Sequence, residues 1–255
     1  TPPFLNPLLV YLAIYLISVR YGKPANIEDI PSIVQIENGP LWVQTCVGIV
    51  LTSRHVLSVA HCFYGPLFTP RLRRVRAGAG VRGRDGQVVR VESVINHPDF
   101  RLKNGFNSDI GIVRLSTALT YGPTIQQAAI TAAGVNFYPN IPVTIAGWGR
   151  TTQEAIWADR ELNTITVRTT GEYRCAEKYA SLPIPITITD RMLCTGINYD
   201  DGHNLGVRDG GAPVFYNGVL VGLVAFGSPY GDSYPLVATA VSPFSNWIVN
   251  TVAGY

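Results

Sequence analysis

Residues 51–65 read LTSRHVLSVAHCFYG. The aliphatic run at 55–60 predicts a β-strand. It ends by presenting His61 and Cys62 side by side, with Cys46 sixteen residues upstream. On its own, a His beside a Cys is more often structural than catalytic. Similar short apolar runs lie on both sides: SIVQIE (32–37), QTCVGIVLT (44–52), GIVRL (111–115), PVTIAGWG (142–149), APVFYNGVLVGLVAFG (212–227) and PLVATAV (235–241). Gly, Pro, Asn and Asp punctuate them. Regular short strands with turns between them point to an all-β sandwich or barrel. Asn217-Gly218, set between two apolar runs, is a hairpin signal. Phe244, Trp247, Ile248 and Val252 recur at helical spacing and predict a terminal helix laid on the sheet. The linker-like composition of 121–141 suggests a seam between two halves.

The chain has 255 residues, 47% hydrophobic and 15% charged, which is enough to bury a sizeable core. A net charge of +3 is too weak to imply a nucleic-acid partner. All basic residues except Lys23, Lys103 and Lys178 are Arg. Arg keeps its charge where Lys begins to lose it, so the bias suits an alkaline medium, or reflects compositional drift. Seven Arg lie between Arg71 and Arg90 with only Asp85 opposing them. They read as an outward barrel surface or, alternatively, as a polyanion-binding face.

Four Cys without CxxC spacing favour two disulfides in an oxidising compartment over a zinc site. Spacing leaves all three pairings open. Asp200 and Asp201 match no calcium loop, and no metal or cofactor is expected. His55, His97 and His203 read as surface or turn residues. The apolar run LLVYLAIYLISV (8–19) is too short for the ~20 residues of a membrane span. Residues 1–18 are either a signal remnant or an apolar extension packed on the domain.

Further along stand NSDIGIVRL (107–115), opening on Asp109, then IAGWGR (145–150), Cys175, Cys194 and GVRDGGAPVF (206–215). In this order the motifs resemble those of the trypsin-like serine proteases, from about Val19 to the end. PSIVQ (31–35), PRLRRVRAG (70–78) and GWG (147–149) are similar to lepidopteran midgut trypsins in particular. The resemblance implies residues 19–255 as one peptidase-like domain of two six-stranded antiparallel β-barrels with a C-terminal helix. The barrels would span about 27–130 and 141–241, and the helix about 243–252. It also implies the disulfides Cys46–Cys62 and Cys175–Cys194.

In that family a Ser hydroxyl attacks the substrate, a His takes its proton, and a buried Asp orients the His. By resemblance His61 and Asp109 match the His and Asp, but Gly210 stands at the nucleophile. The family's Gly-Asp-Ser-Gly-Gly-Pro is here Arg208-Asp209-Gly210-Gly211-Ala212-Pro213. The two oxyanion N–H groups would come from Arg208 and Gly210, and Arg208 brings a side chain where the family has Gly. The matching substrate pocket holds Asn204, Phe226, Gly227 and Leu236. Asn204 replaces the carboxylate that pairs a substrate Arg or Lys, and Leu236 replaces a Gly that keeps the pocket open. Ala225 lacks the hydroxyl that supports the Asp, and Gly206 and Tyr230 replace a flanking disulfide.

Val19 matches the new terminus formed on activation, but Ser18 precedes it and offers no basic cleavage point. Asp209, which would receive that terminus, is expected to face Arg20, Arg208 or solvent instead. These features together predict a secreted, monomeric, catalytically inactive protease homologue. It would bind protease inhibitors or protease substrates, as a decoy or cascade cofactor, with no nucleic acid and no membrane. Residual hydrolysis through His61 and Asp109, and a storage or structural role, are the alternatives.

Overall fold

The structure is a computed structural model, and its described residues are 16–17, 22–66, 68–102, 105–149, 161–196, 206–207, 209–227 and 234–254. In chain order the strands begin with β1 (Leu16–Ile17), β2 (Lys23–Pro24), β3 (Ile33–Asn38), β4 (Val43–Thr52) and β5 (His55–Ser58). They continue with β6 (Arg73–Ala77), β7 (Gln87–Asn96), β8 (Gly111–Leu115) and β9 (Ala129–Ile130). The last group is β10 (Pro142–Gly147), β11 (Asn163–Thr170), β12 (Met192–Thr195), β13 (Gly206–Val207), β14 (Pro213–Tyr216), β15 (Val219–Phe226) and β16 (Leu236–Ala240). Helices cover Glu172–Ala180 and Ser245–Ala253.

Two six-stranded antiparallel barrels result. The first closes in the order β3-β4-β5-β8-β7-β6. The second runs β10-β14-β15-β16-β12-β11 and closes through β10–β11 pairing. The seam expected at 121–141 is not simply linker, because β9 joins the second barrel as a parallel neighbour of β15.

Strands facing the other barrel bury both surfaces. On β4, Cys46 and Val50 point into the first barrel with Val34, Ile36 and Val56. Val47 and Ile49 of the same strand join the cluster that contains Ile145, Val214 and Leu223 of the second barrel. Such a strand reads as an unbroken apolar run, because neither face meets water. The β14–β15 turn has Asn217 at φ 48° and Gly218 at φ 78°, and two positive φ values in succession are what a type I′ hairpin requires.

The terminal helix buries Ile248, and its neighbours Phe244 and Trp247 set their ring edges on His97, at centroid distances of 5.0 and 4.9 Å. His97 is therefore not a free surface residue. Nor is His55, which is buried in β5 with Nδ1 2.8 Å from Thr52 Oγ1. Neither environment is visible from the residue alone: His55 needs β8 beside it, and His97 needs the terminal helix. Burial lowers both pKa values from 6.5. At His55 the charges of Arg114 and Arg54 lower it further. At His97 Asp99 opposes the shift and Arg191 adds to it.

Upstream of the barrels, β1 pairs antiparallel with β13, Leu16 opposite Val207 and Ile17 opposite Gly206. No helix among the described residues is long and apolar enough to cross a membrane.

Candidate functional site between the barrels

β5 and β8 are paired neighbours, with Ser58 opposite Gly111. The chain leaving β5 and the chain entering β8 must therefore meet, which brings His61 to Asp109. His61 sits in the single turn Ala60–Phe63 that follows β5. Asp109 is 0% exposed. Its Oδ1 accepts the His61 backbone N–H at 2.8 Å, and its Oδ2 lies 2.6 Å from His61 Nδ1. A carboxylate at that distance fixes the proton on Nδ1 and turns Nε2 away as the basic nitrogen.

The approach to Asp109 is contorted. Phe106 and Ser108 both hold positive φ, 65° and 60°. For a bulky residue such a conformation costs of order 1–3 kcal/mol and persists only where the surroundings enforce it. Here Phe106 sets its ring edge-on to His61 at 5.8 Å and packs on Phe226 at 5.1 Å. Ser108 Oγ accepts a 2.5 Å bond from Arg191. Across the barrel junction, the Thr239 hydroxyl donates to the Asp109 carbonyl at 2.9 Å. Thr239 and Phe106 carry no signal in the sequence; only the fold identifies them as part of the site.

Gly210 lies opposite the imidazole. A Cβ placed on it would stand 2.9 Å from His61 Nε2 and 3.7 Å from Cys62 Sγ. Its carbonyl accepts the Val47 N–H at 2.8 Å, tying this loop of the second barrel to β4 of the first. Gly211 is tighter still: φ is 84°, and a Cβ there would stand 2.1 Å from the Val47 carbonyl oxygen. Asp209 is 0% exposed, which rules out solvent as its counterpart. Its Oδ1 accepts the Trp148 N–H at 3.1 Å, and Gly147 leaves the room, since a Cβ there would come within 2.4 Å of that oxygen.

Phe226 is fully buried, its ring edge-on to Tyr179 at 5.5 Å. Tyr179 donates its hydroxyl to the Pro235 carbonyl at 2.6 Å, which holds the entry to β16 in place. Leu236 then reaches across to within 3.8 Å of a Cβ placed on Gly227. Phe226, Gly227 and Leu236 are thus brought together, whereas Asn204, Arg208, Val19, Arg20 and Tyr230 lie outside the described residues.

Disulfides Cys46–Cys62 and Cys175–Cys194 flank the region. Each closes a short loop, worth ~3 kcal/mol in the chain-entropy account. Cys46, His61 and Cys62 cluster closely enough to suggest a metal, but both sulfurs are bonded to each other and offer no thiolate.

The trypsin family model matches residues 19–248. This chain belongs to the trypsin family. Trypsin, alkaline A, of Manduca sexta is 33% identical over 90% of this chain and 89% of its own. Trypsin CFT-1 of Choristoneura fumiferana is 32% identical over 89% of this chain and 88% of its own. Relatives of this trypsin homologue thus include lepidopteran trypsins. Among solved structures, the scabies mite inactivated protease paralogue S-D1 superposes with a TM-score of 0.81 at 21% identity. That match covers 92% of this chain and 97% of the mite chain.

Proposed function

We propose that this trypsin-family chain does not cleave peptide bonds and acts by binding protein or peptide partners in the cleft between its barrels. One observation carries the reading: the residue facing His61 Nε2 is Gly210, which has no side chain to attack a carbonyl. His61 and Asp109 keep the geometry of a base and its orienting carboxylate, but at Gly210 the nucleophile's position is empty of chemistry. In proteases of this type, loss of one member of the trio leaves only ~10³–10⁴-fold acceleration over water.

Further support lies in the pocket. Leu236 leans toward Gly227 where a substrate side chain would enter, and Asn204 offers no charge to a basic one. Arg208 at the first oxyanion position and Ser18 before Val19 argue against both transition-state binding and proteolytic activation. The mite protein of this fold is named an inactivated protease paralogue, an example of lost activity on the same scaffold. Two disulfides, and relatives named as alkaline trypsins, support a location outside the cell, with the gut lumen as the proposed setting. We read it as a monomer whose partners are protease inhibitors or protease substrates.

Two measurements test this. A fluorophosphonate probe should label no cleft residue, and covalent modification there would end the reading. Trypsin inhibitors with substrate-like loops should bind at micromolar concentration or tighter, and absence of binding would exclude the decoy role. The intact His61–Asp109 pair favours one second reading, slow hydrolysis by a base-activated water. Turnover that disappears in His61→Ala would establish it.

A further inference from the structure

The Arg run at 71–90 plays no part in the cleft. It lies on the turn before β6, on β6, on the turn after it and on β7, beside the 38–43 turn between β3 and β4. Part of it is matched internally. Arg74 and Arg76 both bond the carboxylate of Glu37, which is 0% exposed, with Arg76 Nε at 2.7 Å. Arg73 donates to Asn38 Oδ1 and stacks 5.4 Å over Phe68. Among the described residues, Arg71, Arg84 and Arg90 are exposed and form no ion pair. Asp85 is the exposed carboxylate in the turn. Glu92, farther along β7, is held by Arg54 and Arg114.

The arrangement of two of these cations is the telling feature. Arg74 and Arg90 are direct cross-strand partners, a placement in which like charges repel. The Trp42 ring lies against both guanidinium groups, 4.5 Å from one and 4.3 Å from the other. To put it there the chain holds Trp42 at φ 53°. A bulky residue in that conformation costs about 1–2 kcal/mol. Each exposed cation–ring contact returns about 0.5–1 kcal/mol, and the Glu37 carboxylate bonded to Arg74 relieves part of the repulsion. The ring, the two guanidinium groups and the buried Glu37 carboxylate form one cluster. Its effect is to hold two guanidinium groups side by side in fixed orientation, next to Arg71, whose carbonyl takes a 3.4 Å bond from Arg90.

Apolar side chains interleave with these charges. Leu41, beside Trp42, is 83% exposed, and Val43, Leu72 and Val88 are each near 40% exposed (38%, 39% and 40%). The 2.9 Å bond from the Gly39 N–H to the Leu72 carbonyl sets Leu72 beside the turn that carries Leu41, and Val88 is two residues from Arg90 on β7. We propose that this face docks an acidic segment of a protein partner, one with apolar side chains among its carboxylates. Arg forks match carboxylates in pairs, and fixing them beforehand lowers the entropy lost on binding. A sulfated glycan would satisfy the charges but leave Leu41 and Val43 without a counterpart. The surface shares no residue with the cleft, so the inference stands whether or not the cleft is catalytic.

The test uses the full chain and two probes: a fluorescent peptide of about 12 residues alternating Glu and Leu, and a heparin hexasaccharide. Peptide affinity should fall several-fold between about 0.05 and 0.2 M salt. Arg71→Glu with Arg90→Glu should weaken it at least about tenfold. Leu41→Ser should weaken the peptide about threefold and leave the saccharide unchanged. All three positions are exposed, so an unchanged melting curve verifies the fold of each variant. Peptide binding indifferent to the double reversal would overturn the proposal. So would tighter binding of the saccharide together with no effect of Leu41→Ser.

Discussion

Gly210→Ala tests the closeness of His61 to the loop more cleanly than any change of chemistry. Replacing Gly by Ala where the backbone permits usually stabilises a protein by about 0.4–1 kcal/mol, because the unfolded chain loses freedom. The φ of Gly210 is outside the left-handed region, so that gain should be available here. Against it stands the 2.9 Å approach of the new methyl carbon to His61 Nε2. Relief requires the imidazole to retreat by a few tenths of an ångström. The ring is poorly placed to do so: Nδ1 is held 2.6 Å from Asp109, the edge of Phe106 lies against it, and its side chain is 5% exposed. Overpacking of this kind costs about 1–3 kcal/mol. The balance is a net loss of about 1 kcal/mol, or a fall of about 2–4 °C in melting temperature. Differential scanning calorimetry on the two proteins measures it directly. If Gly210→Ala melts higher than the parent, the imidazole is not where this reasoning puts it.

Gly210→Ser should restore a side chain within reach of His61 yet give no measurable cleavage after Arg or Lys, assayed with a chromogenic arginine substrate; turnover there would refute the reading of Asn204, Arg208 and Leu236. Gly211→Ala should be far worse than Gly210→Ala, since its Cβ meets the Val47 carbonyl at 2.1 Å, and soluble expression reports it. Thr239→Val should cost about 1–2 kcal/mol in urea unfolding by leaving the buried Asp109 carbonyl without its donor. The fourth concerns pH. Burial lowers the His97 pKa below 6.5 in the folded state, against Asp99 and with Arg191, between the rings of Phe244 and Trp247. The unfolded chain then binds the proton more readily, so stability holds above pH 6.5 and falls as pH drops through that value. His97→Phe should flatten that part of the profile relative to the parent.

The strands at 32–60, 111–115, 142–149, 212–227 and 235–241 were legible because most of them are buried on both faces. Four other barrel strands are not legible. On β6 only Val75, Arg76 and Ala77 are buried, and the strand reads as a charged run. On β11 Ile165 turns inward among Thr residues, and the pattern is faint. β7 and the short β12 complete the four. Reading the Arg run as surface was half right: Arg76 is 9% exposed, folded over a Glu37 that precedes it by 39 residues. At the site, the motifs nominated His61, Asp109 and Gly210, which the pairing of β5 with β8 and of Val47 with Gly210 brings together. Thr239 and Phe106 escaped because a hydroxyl on a strand and a phenyl in a loop are unremarkable until their neighbours are known.

The seating of the C-terminal helix has a consequence for how the chain is made. Phe244 and Trp247 emerge from the ribosome long after the first barrel, yet they close on His97, in the loop after its strand β7. An early barrel can form its own strand ladder during synthesis. It must nonetheless wait until the second barrel has been made before that loop is covered. A nascent protein released short of residue 244 would leave His97 and the flank of the first barrel wet. Residues 244–253 thus act as the fastener that joins two halves made at different times.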